Sequence, residues 1–189
     1  MQTHLRPAQP GDICVLLAPS ADETAHVVRP RQRYLQTLFG GRPTEFVHLT
    51  CQRFIIQDEL MPTVAQQLRT QTAAVQPLSI LATSLVPWNS RNQQLRVLRW
   101  SIALTRDLRR MAALIADVLA KTGAAPLYVS GWQPTLITAL EGINELTVDP
   151  NFLADQSFPF PLFLAEQVVL SKIKAIGEYE ILDTIPLSA

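Results

Sequence analysis

Cysteine, histidine and lysine are all scarce in this chain, and each scarcity removes a class of chemistry. The 189 residues hold two cysteines and three histidines. Two thiols cannot make a disulfide framework or a four-thiolate metal site, and no Cys-x-x-Cys or His-x-x-x-His spacing exists to build a mixed one. No metal or cofactor site is therefore expected. Apolar runs of membrane-spanning length are missing too. The longest uncharged stretches, Thr70 to Ser90 and Thr122 to Leu140, are broken by Pro77, Pro87, Pro126 and Pro134 among Gln, Ser and Thr, so neither reads as a membrane helix. The first residues lack the basic-then-apolar order of a secretion signal, which places the expected location in the cytoplasm. No Gly-rich phosphate loop, Gly-x-Ser-x-Gly elbow or His-Glu-x-x-His is present.

What is there is a globular composition, 48% apolar and 17% charged, on a chain long enough to bury a substantial core. Net charge is zero but unevenly spread. Residues 1–110 carry thirteen Arg and no Lys against seven acids, while the remainder carries Lys121, Lys172 and Lys174 against nine acids. An Arg-lined surface suits phosphates. The neutral total argues against a long nucleic-acid track, since such affinity comes from many phosphate contacts. A nucleic-acid ligand should be short: an RNA end or a nucleotide.

Pattern predicts an α+β chain. Ile13 to Leu17 reads as a buried strand. Ser20 and Glu23 have capping-box spacing and open a helix that stops at Gly40-Gly41, with Pro30 kinking or splitting it. Glu45 to Phe54 alternates as a strand from Val47 onward, with Val47, Leu49 and Cys51 on the core face and His48, Thr50 and Gln52 on the other. A helix is expected from about Asp58 to Ala74, then strands at Leu78–Val86 and Gln94–Leu104 around a turn at Pro87-Trp88-Asn89-Ser90. Thr105 caps an amphipathic helix carrying Leu108, Met111, Ile115, Val118 and Leu119. Short strands are expected at Leu127–Val129 and Pro134–Leu140, and an irregular connection over 142–165. A closing hairpin is expected from Gln167–Ile173 and Glu178–Leu187. Two lobes, approximately 1–104 and 105–189, make one domain.

The chemistry concentrates at His48-Leu49-Thr50. Positions i and i+2 of a strand project together, so an imidazole that titrates near neutrality stands beside a hydroxyl able to hold a phosphate oxygen. Cys51 points away, which makes a Cys-His nucleophile pair geometrically poor. Arg53 and Arg99 are candidates to line a cleft, but strict alternation sets Arg53 opposite His48, where a surface salt bridge is its expected role. Trp88, Trp100 and Trp132 read as core or edge residues by composition.

The order of elements, together with Ile13-Cys14-Val15-Leu16-Leu17-Ala18-Pro19, Val47-His48-Leu49-Thr50 and the closing Val168–Lys172 and Tyr179–Leu187 strands, resembles the 2H phosphoesterase superfamily, which includes 2′-5′ RNA ligases and cyclic phosphodiesterases. The resemblance covers most of the chain. It implies a bilobal fold with two antiparallel or mixed sheets around a central cleft and helices outside. It also implies one His-x-[Ser/Thr] from each half, acting without metal as general base and general acid on a cyclic phosphate or 2′-5′ phosphodiester. His48 and Thr50 match the first motif. The second, expected at Trp132–Thr138, has Thr135 in the histidine position and Ile137 in the hydroxyl position. No histidine follows His48, and His4 and His26 lie on no motif. Losing one of a proton-transfer pair removes roughly 3–5 kcal/mol of transition-state stabilisation, so impaired or altered catalysis is expected. Tyr128 and Lys172 are the residues that could compensate, and Gln52, Trp132 and Tyr128 are candidates to touch substrate, Trp132 by stacking a base. The alternative is a non-catalytic module on the same fold, binding a nucleotide, an RNA end or a protein.

Overall fold

The computed structural model describes Arg6 and residues 8–89, 96–128, 134–144, 152, 157–175 and 177–188. Two five-stranded antiparallel sheets form the frame. Sheet 1 has the order β10-β9-β1-β3-β6 and sheet 2 the order β2-β7-β5-β4-β8. Their strands are β1 (Ile13–Ala18), β2 (Arg42–Pro43), β3 (Leu49–Ile55), β4 (Leu78–Asn89), β5 (Arg96–Ile102), β6 (Ala125–Pro126), β7 (Leu136–Glu141), β8 (Phe160–Ala165), β9 (Gln167–Ala175) and β10 (Glu178–Pro186). Each sheet draws strands from both sides of residue 104, so a boundary there does not separate them.

β1 lies at the centre of sheet 1 with both faces covered, and its six residues are 4% exposed or less. That explains its unbroken apolar run, because a strand buried on both sides needs no polar alternation. Helices α3 (Met61–Thr72) and α4 (Arg106–Lys121) pack together, α4 against β3 and α3 against β10. Helix α2 (Arg29–Phe39) packs on β7. The apolar stripe of α4 is the expected one, and the Leu108 amide donates to Thr105 Oγ1 at 3.2 Å. Thr105→Ala should cost about 1 kcal/mol in urea unfolding, the usual worth of an N-cap hydroxyl.

Pro30 splits its helix. A short α1 (Ala21–Glu23) and a π-type segment over Thr24–Val28 precede α2, with Pro30 in the first turn of α2, where the missing amide costs nothing. Ser20 does cap Glu23, but the Glu23 carboxylate accepts from the Leu164 amide instead of closing a reciprocal box.

Two sequence expectations change. Pro87-Trp88-Asn89 is strand, not turn, because all three pair with β5 opposite Leu98, Val97 and Arg96. The stretch expected to be an irregular connection ends in β8, which pairs with β4. Part of that stretch, like Ser90 and Val129, lies outside the described residues.

The two sheets have unlike faces. Ile13, Val15, Leu17, Leu49 and Phe54 of sheet 1, and Leu98, Trp100, Ile102, Ile137 and Ala139 of sheet 2, enter one large core under the helices. A second, smaller cluster of Cys14, Leu16, Ala18, Val169 and Ile173 lies on the opposite, inner face of sheet 1, with Phe46 and Tyr179 packed over it.

A bulge sets which residues of β3 reach that inner face. Leu16 pairs with Thr50 but Val15 pairs with Gln52, so Cys51 is extra. One added residue reverses the alternation beyond it. Arg53 therefore pairs with inner-facing Cys14, and Gln52 with core-facing Val15. The expected trio His48, Thr50 and Gln52 becomes His48, Thr50 and Arg53.

Candidate functional site

His48 immediately precedes β3 and is half-buried. Its Nδ1–H donates to the Phe46 carbonyl at 2.9 Å, which fixes the tautomer and leaves the Nε2 lone pair unused by that bond. The ring stacks on Phe46 with centroids 5.0 Å apart and meets the edge of Tyr179 at 4.8 Å. Removal from water between these rings holds its pKa down to about 4, against a smaller upward pull from the Phe46 carbonyl. The imidazole is neutral at neutral pH. Such a group can accept a proton there but has none to spare as an acid.

Tyr179 was not singled out by sequence reasoning, since nothing local to the closing hairpin marks it. Pairing of β10 on β9 and β9 on β1 brings it to His48. Burial pushes its phenol up to about 12, with Cys14 and Glu141 adding to the rise. Tyr128, half-buried beside β6, is likewise pushed up, chiefly by burial. Both hydroxyls are therefore protonated donors at neutral pH.

Sheet 2 supplies the facing wall. Leu98 and Trp100 enter the core, so Arg99 between them projects to the opposite face, paired with Val86 and Thr138. Burial lowers the Arg99 pKa, while Tyr128 and Tyr179 lie within electrostatic reach and raise it. That coupling across the sheets puts Arg99 on the His48 side. At the end of β7, Glu141 Oε1 sits 3.3 Å from where a Cβ on Gly177 would stand in the β9–β10 turn, and its other oxygen meets Arg42 at 3.2 Å.

Arg53 corrects an expectation. It is buried, not a surface ion-pair residue, with its Nε 3.5 Å from an equally buried Asp12 carboxylate. Asp12 also accepts from Arg6 at 2.5 Å and from the Gln9 amide at 3.0 Å, while Arg53 donates to the Arg6 carbonyl and lies 5.5 Å over the Tyr128 ring. Arg53 is thereby committed to holding the segment before β1. Among the described residues no carboxylate stands within 4.0 Å of Arg99, so unlike Arg53 it is not tied up in an ion pair.

The residues expected at the second motif, Thr135 and Ile137, do not project from the Arg99 face. Thr135 is exposed and precedes β7, its carbonyl accepting from the Ile102 amide. Ile137 is 1% exposed and part of the main core. The hydroxyl on the Arg99 face is Thr138, and the side chain two residues before it is Leu136, 44% exposed. Leu136-Ile137-Thr138 thus has the spacing of His48-Leu49-Thr50, with a leucine two residues before its hydroxyl. Lys172 pairs with core-facing Ile13, away from His48. Gln52 spends its side-chain oxygen on the Arg53 amide. His26 is exposed on its helix beside Asp22. Trp132 and His4 lie outside the described residues. Among the described residues, no three His, Cys, Asp or Glu side chains gather as a metal site would need, and no helix is long and apolar enough to cross a membrane.

No family model and no curated protein matches the chain by sequence. Its architecture does match solved structures. E. coli LigT complexed with 3′-AMP superposes with a TM-score of 0.64 at 15% identity, over 96% of this chain and 100% of that one. LigT is also known in complexes with ATP and with NADP+. TT0787 of Thermus thermophilus gives a TM-score of 0.61 at 17% identity, over 93% and 97% of the two chains. Kluyveromyces marxianus Usb1 gives 0.54 at 10% identity, over 96% and 100%. Two facing antiparallel sheets with helices outside, a His-x-Thr entering β3 and a closing β9–β10 hairpin give this chain the α+β fold of the LigT-like 2H phosphoesterases.

Proposed function

We propose that the protein binds a nucleotide or short RNA end between its two sheets and acts on it, slowly, as a metal-independent phosphoesterase of the 2′,3′-cyclic phosphate or 2′-5′ phosphodiester class. The observation that carries this reading is the orientation of His48. Its Nδ1–H is committed to Phe46, its Nε2 is left to accept, and Thr50 stands on the same face. A neutral imidazole takes the proton of an attacking water. The water oxygen bonds to phosphorus, and the ester P–O bond opposite it breaks. Thr50 and Arg99 hold the phosphate oxygens, the latter by charge-assisted hydrogen bonds.

The departing oxygen needs a proton. Tyr179 is the titratable donor in contact with the His48 ring, and with a pKa near 12 it is a poor acid at pH 7. Slow turnover follows from that mismatch. A second reading, a nucleotide-binding module without turnover, draws on the same position: Leu136 stands where a second imidazole would serve the leaving group.

The test uses 2′,3′-cyclic AMP and a 2′-5′-linked dinucleotide with the purified protein. Hydrolysis lost in His48→Ala supports the enzyme; binding without hydrolysis supports the module; neither binding nor hydrolysis sinks both. If catalysis is limited by the missing acid, Leu136→His should raise the rate about tenfold, a fraction of what a well-placed acid contributes. Thr135→His, on the other side of the strand, should leave it unchanged.

A further inference from the structure

We propose that Trp88 is the platform on which the nucleobase of the ligand stacks, with Arg99 holding the indole in place from its other side. The inference rests on the nucleotide reading above and names which part of the ligand sheet 2 recognises.

Three observations meet at this residue. Trp88 pairs with Val97, and Val86 with Arg99, so Trp88, Val86 and Arg99 project from one face of sheet 2, the face opposite the core. The Arg99 guanidinium carbon lies over the Trp88 ring, 4.3 Å from its centroid, a cation–π contact. Yet Trp88 remains 39% exposed, as does Val86, while Trp100 on the opposite face of the same sheet is 1% exposed. A large aromatic left in water costs hydrophobic stabilisation, and here the indole has a cation against it and still remains exposed.

The choice of occupant follows from charge and shape. A cation–π contact uses none of a guanidinium's N–H donors, and no carboxylate of the described residues occupies those of Arg99. A ligand that suits both groups at once has a flat aromatic ring for the indole and an anionic group for the guanidinium edge. A nucleobase joined through ribose to phosphate has that form. Arg99 is also within electrostatic reach of Tyr179, which touches His48, so the phosphate end of the ligand is directed toward the imidazole and the base away from it. Inorganic phosphate or a sugar phosphate would use Arg99 alone.

Titration calorimetry of the full chain with 3′-AMP and with inorganic phosphate separates the parts. Trp88→Ala should weaken 3′-AMP binding roughly 5- to 150-fold, the effect of losing one base–aromatic stack, and leave phosphate binding unchanged. Trp88→Phe should keep most of the affinity for 3′-AMP. Tryptophan emission should be quenched by 3′-AMP in the parent protein and much less in Trp88→Phe, a readout that survives if Trp88→Ala folds poorly. Equal affinity of Trp88→Ala and parent for 3′-AMP, or an equal loss for both ligands, would overturn the platform while leaving the nucleotide reading standing. A parent protein that binds neither ligand would remove the nucleotide reading itself.

Discussion

His48→Ala is expected to lower cyclic-phosphate hydrolysis by about 10²–10⁴-fold, the range for removing one positioned proton acceptor. Affinity for 3′-AMP should change little, because the anion and the base are held by Arg99 and Trp88. The pH profile gives a sharper check. With the imidazole pKa near 4, the rising limb of kcat/KM belongs near pH 4 and activity should be flat from about pH 5 to 8. An unperturbed histidine would put that limb near 6.5. A limb at 6.5 would mean that Phe46 and Tyr179 do not keep the imidazole from water in the free protein; opening of that sandwich on substrate entry would move the kcat profile instead. The same shift has a stability consequence with a definite sign. The folded-state pKa lies below the unfolded one, so between pH 6.5 and 4 the unfolded chain binds more protons. Stability therefore falls as pH drops through that window, and is fully present above it. His48→Gln should flatten the pH dependence of urea unfolding over the same interval.

Asp12→Ala is expected to be among the most destabilising single substitutions in the chain, at about 3–5 kcal/mol. It strands the Arg53 guanidinium, 3% exposed, without its counter-charge. It also releases Arg6 and the Gln9 amide, both of which donate to Asp12. The loss should appear in urea unfolding as a lower midpoint with little change in slope. A double variant, Asp12→Leu with Arg53→Met, removes both charges together and should recover much of it, since an apolar pair avoids the desolvation cost that the ion pair has to offset. A single variant within 1 kcal/mol of the parent would show that the Arg6–Asp12–Arg53 link adds nothing to holding the chain ahead of β1.

Much of this fold is legible in the sequence where periodicity is uninterrupted. The apolar run of β1, the stripe of α4 under its Thr105 cap and the closing hairpin follow from local pattern, and so does the pairing of His48 with Thr50. Their order suffices to suggest the fold. What fails is each inference that needs a constant register or a distant partner. Strict alternation puts Gln52 beside Thr50, and the extra Cys51 replaces it with Arg53. Pro87-Trp88-Asn89 has the composition of a turn, yet its pairing with Arg96–Leu98 is decided by another strand. Counting from Pro134 selects Thr135 and Ile137, whereas the ladder to Arg99 selects Thr138. Tyr179 and Phe46 acquire their role only when β9 lies between β10 and β1. No window along the chain contains that information.

The surplus residue in β3 also makes the protein unequally tolerant of different kinds of genetic change. Trimming a single codon at Cys51 or Gln52 would take out the irregularity and leave one residue opposite Val15, with Arg53 still opposite Cys14 and Phe54 still opposite Ile13. Every side chain further along would keep its side of the sheet. In a library of one-residue deletions, this short span should be the most forgiving part of β3.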